Sequence, residues 1–305
     1  MTPDASSRTY TRLCKGEDTA VVMQDPDGDV ALFARLSRHL SALGLSAPRI
    51  IAEAPQDGLL LIEDLGDDLF ARLCETDPAL EPTLYDTAVD VLIALHRAKP
   101  PAGLTVATPS LLAQMIDPAF DFYAARAGQT PSQTDRRALQ AALKDALDSH
   151  ASVADVMILR DYHAENLLWL PQRTGTACAG LLDFQDALIG HRAYDLVSLL
   201  QDARRDVTGP VTDRAIRRFA DRTGTPEDTL RAACAVLGVQ RNLRILGIFA
   251  RLAVLRGKPG YLGLIPRVWG HIDRSLHHPA LSSVAPLIAK YLPAPTPDVL
   301  ERLAR

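Results

Sequence analysis

The chain has 305 residues, 47% of them hydrophobic, with a formal net charge of −4 and four cysteines. That length is enough for one large core or two packed lobes, with two favoured, and the slightly acidic balance without a basic tail excludes gripping nucleic acid or an anionic membrane through bulk charge. Cys14, Cys74, Cys178 and Cys234 lie far apart with no C-x-x-C pair, which argues against a disulfide framework or a structural zinc site.

In chain order, residues 9–24 read as two strands around the turn Lys15-Gly16-Glu17-Asp18. The second, Ala20-Val21-Val22-Met23, is rich in β-branched residues and the more buried of the two. Asp29 can cap a helix over 30–43, whose Leu32, Leu36, Leu40 and Leu43 recur at helical spacing before Gly44 ends it. Pro48 leads into Arg49-Ile50-Ile51-Ala52, and a Gln56-Asp57-Gly58 turn into Leu59-Leu60-Leu61-Ile62-Glu63, a hairpin pattern. After Asp64-Leu65-Gly66 helices dominate, over 68–74, 83–97, 111–126 and 133–149. Short strand patterns return at 156–159, 167–170 and 180–182, and beyond Ala193 the pattern is helical again.

The expected fold class is α+β, with a small β-rich N-terminal lobe, residues 1–65, and a larger, mainly helical lobe, 66–305. A cleft between two such lobes is a usual place for a ligand. The first twelve residues are polar and hold no leader-like apolar run, and the apolar stretch 243–255 is broken by Arg244 and Arg251. A cytoplasmic protein without a membrane span is therefore expected.

The informative stretch is Leu159-Arg160-Asp161-Tyr162-His163-Ala164-Glu165-Asn166. It sets an Asp and, five residues on, one of only two asparagines in the chain within a loop between apolar strands. Seventeen residues after Asn166, a further apolar strand runs into Asp183-Phe184-Gln185. Phosphoryl transfer needs this set of groups: a carboxylate for the proton of the attacking hydroxyl, and a carboxamide and second carboxylate to hold magnesium on nucleotide phosphates. The D-x-x-x-x-N spacing alone is weak. Its place after a strand, with a second Asp ending another, gives it meaning.

From 156 to 206 the chain resembles the catalytic region of the aminoglycoside phosphotransferase/choline kinase family, relatives of protein kinases. The resemblance implies a two-lobe, protein-kinase-like enzyme dependent on ATP and Mg2+. It makes Asp161 the catalytic base, His163 the loop histidine, and Asn166 and Asp183 the magnesium ligands. Asp195 in Ala193-Tyr194-Asp195-Leu196 is similar to the family's buried Asp that supports the loop, and Leu95-His96 to its helix-ending Leu-His pair. The adenine is then expected between the lobes, on backbone groups of Glu63, Asp64 and Leu65, with Met23 or Ile62 supplying apolar surface.

Three departures accompany the resemblance. Leu159 stands where a histidine is expected, Ala20-Val21-Val22-Met23 lacks the lysine that reaches the phosphates, and helix 30–43 has no glutamate to pair with it. Losing both members removes the ion pair without stranding a charge. Arg8 and Arg12 are the candidates to face the phosphates instead, with backbone N–H groups of Ala5-Ser6-Ser7 as a further cradle.

The Asp4-Ala5-Ser6 opening, the lysine-free strand, Leu182-Asp183-Phe184-Gln185-Asp186-Ala187 and the run Tyr194-Asp195-Leu196-Val197-Ser198 resemble one subgroup. That subgroup is the bacterial kinases acting on the anomeric hydroxyl of N-acetylmuramate and N-acetylglucosamine in cell-wall recycling. The implied partner is a small amino sugar near Asp161 and Asp186, with Arg204, Arg205 or Arg241 meeting a lactyl carboxylate. No nucleic-acid or membrane partner is expected, and the chain is expected to act as a monomer. Two other readings stay open. One is an aminoglycoside, choline or homoserine kinase, with Asp117, Asp121, Asp202 and Asp206 available to a polycation. The other is an inactive nucleotide-binding scaffold, motivated by the missing lysine and by Leu159.

Overall fold

In the computed structural model, which describes residues 8–304, β1 (Thr9–Lys15) and β2 (Asp18–Gln24) form an antiparallel hairpin. Its register runs from Thr9 opposite Gln24 to Lys15 opposite Asp18. The helix α1 (Val30–Ala42) follows, and the Asp29 carboxylate accepts the Leu32 N–H at 2.8 Å as its N-cap. Asp29→Ala is expected to lower stability by about 1 kcal/mol, read as a shifted denaturation midpoint at unchanged m-value. β3 (Ile50–Ala54) and β4 (Leu59–Glu63) make a second hairpin, and the four strands form one sheet in the order β1-β2-β4-β3. Alternation along β4 buries Leu60 and Ile62, while α1 buries Val30, Phe33, Leu36 and Leu40. These apolar faces, of period two and period 3.6, make the core of the N-terminal lobe.

Beyond the connector come α2 (Phe70–Thr76), α3 (Glu81–Leu95), α4 (Pro109–Gln114) and α5 (Gln133–His150). Four short strands follow: β5 (Val156–Ile158), β6 (Leu167–Trp169), β7 (Ala179–Leu181) and β8 (Leu188–Gly190). They pair as two small sheets, β6 with β7 and β5 with β8. β8 has no counterpart in the sequence pattern, because Leu188-Ile189 runs straight into Gly190 and offers no β-branched run. The remainder is helical: α6 (Ala193–Leu200), α7 (Gly209–Thr223), α8 (Glu227–Leu255), α9 (Ile265–Leu276), α10 (Ala285–Tyr291) and α11 (Pro297–Ala304).

The single helix expected over 111–126 is broken. α4 stops at Gln114, and after Pro118, which has no N–H to donate, the backbone resumes as a π-helical turn, Ala119–Ala124. α8 crosses this turn so closely that a Cβ on Gly247 would lie 2.1 Å from the Pro118 carbonyl carbon. By length and composition α8 could cross a membrane, yet 78% of its most apolar window is buried inside the protein. It is a core helix.

Backbone contacts group the chain into two compact units, 1–104 with 159–188 and 105–158 with 189–305. The first holds β1–β4, α1–α3, β6, β7 and the stretch carrying the D-x-x-x-x-N pattern. The architecture is a protein-kinase-like two-lobe α+β fold, with an N-terminal β-sheet lobe and a larger C-terminal helical lobe.

Candidate active site

Between β5 and β6 the chain makes a tight loop. The buried Leu159 gives its carbonyl to the Asp161 N–H at 2.9 Å, across Arg160 at φ 71°. A positive φ on a residue with a side chain is strained, and such strain gathers at functional sites. Tyr162 pins the loop from below, its hydroxyl donating to the Ala88 carbonyl of α3 at 2.8 Å. Asn166 Nδ2 donates to the Asp161 backbone carbonyl at 2.8 Å, which turns Oδ1 of the same amide away from that bond. His163, 7% exposed, places Nε2 3.4 Å from the same Nδ2 and helps fix the amide's orientation.

β6 and β7 pair with Leu167 opposite Leu181, and the Leu182 N–H bonds the Asn166 carbonyl at 3.0 Å. This register brings Asn166 beside the residue that follows Leu182. That residue, Asp183, is the other non-glycine among the described residues at positive φ, 56°. Phe184 then inserts under α1, fully buried and stacked on Phe33 with ring centroids 4.7 Å apart. Gln185 Nε2 donates to Asp183 Oδ1 at 2.8 Å, and Arg8 Nη1 lies 3.5 Å from the same oxygen.

Burial pushes the Asp183 carboxyl above its usual range; the bond from Gln185 opposes this, and the carboxylates of Asp161 and Asp186 add to it. Carboxylates within electrostatic reach of one another form an excess of negative charge that a divalent cation relieves. Asn166 Oδ1 and the Asp183 carboxylate fit magnesium, which takes a few protein oxygens and leaves its other positions to water and phosphate. Asp186 itself is exposed, and its backbone carbonyl accepts Arg160 Nη1 at 3.2 Å.

Arg12 sits elsewhere on β1. Its guanidinium donates to Asp64 Oδ1 at 2.9 Å and to Asp67 Oδ2 at 2.6 Å, and it holds the Asp67 carboxyl below its usual range. Arg8 and Arg12 are four residues apart in extended chain, so they share a face but stand about 13 Å apart. Arg12 marks the connector end of that face, where a cleft of about 420 Å³ is lined in part by Thr19, Asp64, Leu65 and Trp169. Beneath it Leu65 packs with Leu168 and Leu170. Met23 and Ile62 are buried, and the Glu63 carboxylate pairs with Arg173 at 2.9 Å. The cradle at Ala5-Ser6-Ser7 lies outside the described residues.

Arg204, Arg205 and Arg241 belong to the second unit. Arg241 is buried and donates from Nη2 to Ser198 Oγ at 2.8 Å, so it braces α6 against α8. Arg204 and Arg205 are half-buried, and the Arg204 N–H bonds Asp202 Oδ1 at 2.8 Å. Asp195 is fully buried in the first turn of α6. His96 caps the end of α3.

Three residues that shape the site have no role assigned by the sequence pattern. Gln185 follows Asp183 by two positions and could have been read from that adjacency. Asp25, which follows β2, accepts Arg8 Nε at 2.9 Å, and the Tyr162 hydroxyl has its partner in α3; neither contact has a local sequence signal.

A strained loop carrying Asp161 and Asn166, a facing Asp183 and a β-sheet lobe beside them define a phosphotransferase. The chain belongs to the phosphotransferase enzyme family, which it matches over residues 2–234. It is 37% identical to an N-acetylmuramate/N-acetylglucosamine kinase of Caulobacter vibrioides over 96% of this chain and 91% of that one. A protein of the same description from Pseudomonas aeruginosa is 32% identical over 94% of this chain and 86% of its own. Among solved structures, a choline/ethanolamine kinase family protein from Mesorhizobium loti superposes with a TM-score of 0.63 at 13% identity, over 94% of both chains. A thermostable aminoglycoside phosphotransferase mutant gives 0.61 at 15% identity, over 91% of this chain and 94% of the other. Both structural likenesses concern the fold.

Proposed function

We propose that the protein is an ATP- and magnesium-dependent kinase that phosphorylates the anomeric hydroxyl of N-acetylmuramate or N-acetylglucosamine. The observation that supports the transfer step is the grouping of the Asp161 loop, Asn166 and Asp183 at one end of the β6–β7 hairpin, with Arg160 and Asp183 at positive φ. The acceptor is supported by the description shared by relatives that span nearly the whole chain.

On this reading the Asp161 carboxylate takes the proton of the C1 hydroxyl. The sugar oxygen forms its bond to the γ-phosphorus as the bond to the β-phosphate oxygen breaks, and ADP leaves with that electron pair. Asn166 and Asp183 would hold the magnesium ion, which neutralises phosphate charge when bound. His163 keeps the Asn166 amide turned. An anomeric hydroxyl is more acidic than an ordinary alcohol, so positioning carries more of the work than proton abstraction.

Residues 1–65 serve as the nucleotide-binding lobe, with the adenine over Leu65 near Glu63 and Asp64, and 66–305 as the catalytic and substrate-binding lobe. Met23 and Ile62 back the nucleotide from within the sheet, and Arg12 belongs to the outer, connector end of its site. Arg204 and Arg205 are assigned to the lactyl carboxylate and Asp186 to a sugar hydroxyl, with Arg241 bracing the segment behind them. The enzyme is placed in the cytoplasm as a monomer that salvages wall-derived amino sugars.

A polycationic acceptor is less well served. Asp121 is paired with Arg136, Asp206 with Arg267, and Asp117 is bonded by Gln140. The test is a panel of amino sugars, choline and aminoglycosides with magnesium-ATP, read by phosphorus NMR. A sugar 1-phosphate is the expected product. Phosphorylation of choline or an aminoglycoside alone would sink the acceptor assignment, and ATP binding with no transfer to any of them would sink the enzymatic reading.

A further inference from the structure

Kinases of this architecture hold the nucleotide phosphates with a strand lysine that is itself fixed by a glutamate of the next helix. β2 and α1 carry neither residue, and the inward Phe33 of α1 is given to Phe184. The cation that reaches the metal-side carboxylate is Arg8. It stands one residue before β1, so continuing the register past Thr9 and Gln24 sets it opposite Asp25.

Its Nε donates to Asp25 Oδ2 at 2.9 Å, while Nη1 lies 3.5 Å from Asp183 Oδ1. Nη1 also lies 3.5 Å from the Tyr10 hydroxyl, so one planar group is divided between an anchor at Nε and, at Nη1, Tyr10 and the Asp183 carboxylate. Both side chains of the anchoring pair are sheltered, 11% exposed for Arg8 and 6% for Asp25. A sheltered ion pair needs well-defined geometry to offset desolvation.

The fold provides that geometry. The Asp25 N–H bonds the Gly58 carbonyl at 2.9 Å, and the Gly28 N–H closes a turn onto the Asp25 carbonyl at 3.3 Å. The Asp25 carboxylate lies against Gly28, where a Cβ would stand 2.1 Å from Oδ2. A Cβ on Gly58, at φ 66°, would press on the Asp25 carbonyl oxygen at 2.8 Å. Two glycines therefore make the room in which this aspartate is held.

We infer that Arg8, locked by Asp25, is the phosphate anchor of the nucleotide site, a cross-strand ion pair that does the work of the absent lysine and glutamate. Asp25 is a positioning residue. This deepens the kinase reading above and rests on it. Before nucleotide binds, Arg8 offsets the negative charge shared by Asp183, Asp161 and Asp186. Were a magnesium ion to take up the Asp183 carboxylate, the Nη edge would turn to phosphate oxygens while Nε stays on Asp25.

The test is calorimetric binding of ATP and of adenosine, with and without magnesium, to wild type, Arg8→Gln, Arg8→Lys, Asp25→Asn and the double variant. Circular-dichroism melting checks each fold. Arg8→Gln is expected to weaken ATP binding about 10- to 100-fold, the loss of charge-assisted hydrogen bonds, and to leave adenosine unchanged. Arg8→Lys should fall between it and wild type. Asp25→Asn should weaken ATP by roughly 3- to 10-fold through lost pre-organisation, and have no further effect in the Arg8→Gln background.

Undiminished ATP affinity in Arg8→Gln, or equal losses for ATP and adenosine, overturns the anchor while leaving the kinase reading in place. Equal effects of Asp25→Asn in both backgrounds overturn the positioning role. Absence of ATP binding by the wild type would remove the kinase reading and this inference together. Arg8 lies ahead of the first strand and outside the core, so its variants report even if Asp25→Asn does not fold.

Discussion

Asp161→Ala is expected to lower kcat by about 10²- to 10⁴-fold, the range for loss of a positioned general base. The Kd for ATP should stay within about threefold of wild type, because under the proposed mechanism the substituted group acts only in the chemical step. The scaffold around Asp161 makes this a clean substitution. Asn166 is held through the Asp161 backbone carbonyl and Leu159 through its N–H, so neither bond depends on the side chain. Removing one carboxylate from beside Asp183 also lessens the crowding of negative charge there, and metal-nucleotide binding has no electrostatic reason to weaken. Steady-state rates paired with calorimetric ATP titration check both halves. A parallel loss of turnover and nucleotide affinity would contradict the assigned role.

Phe184→Ala should strongly damage the fold of the first unit. The ring is fully buried and stacked on Phe33, so its loss removes both the burial and the aromatic contact that tie the turn at Asp183 to α1. Truncation of a buried phenylalanine destabilises by about 3–5 kcal/mol. For a chain of this size that corresponds to a fall in Tm of roughly 6–15 °C, measurable by differential scanning calorimetry. Magnesium dependence should change as well, because the backbone that turns Asp183 at φ 56° is fixed by the residue after it. A stable variant with an unaltered requirement for metal would show that α1 does not hold Asp183 in place.

Much of this was legible in the sequence because the signals were local. The strands on either side of Gly16, the Asp29 cap and the order of sheet lobe before helical lobe follow from periodicity, turn residues and capping chemistry within a few positions. The loop from Leu159 to Asn166 was legible by its company, with Asp183 at the end of a nearby strand. The break after Gln114 leaves no mark in the sequence because apolar residues continue through it at helical spacing, and the π-turn that follows lies where Gly247 of α8 crosses closely. The positions of Arg8 and Arg12 illustrate a different limit. Both lie on one strand face and read alike, yet one meets Asp25 and Asp183 and the other Asp64 and Asp67. Partners brought in by register and by a chain reversal some 170 residues later leave no mark on the residue itself.

If Asp161 and Asp183 act as proposed, the backbone at Arg160 and Asp183 sets heat tolerance against turnover. Left-handed conformations at residues bearing side chains cost about 1–3 kcal/mol each, a sizeable share of the stability of an ordinary domain. Selection for thermal survival alone would draw Arg160 toward glycine or asparagine, relaxing the turn that aims Asp161. At Asp183 the same drift would discard the carboxylate itself. A hardened descendant of this protein is thus best sought through changes remote from these two positions, in caps and loops whose conformation the chemistry does not use.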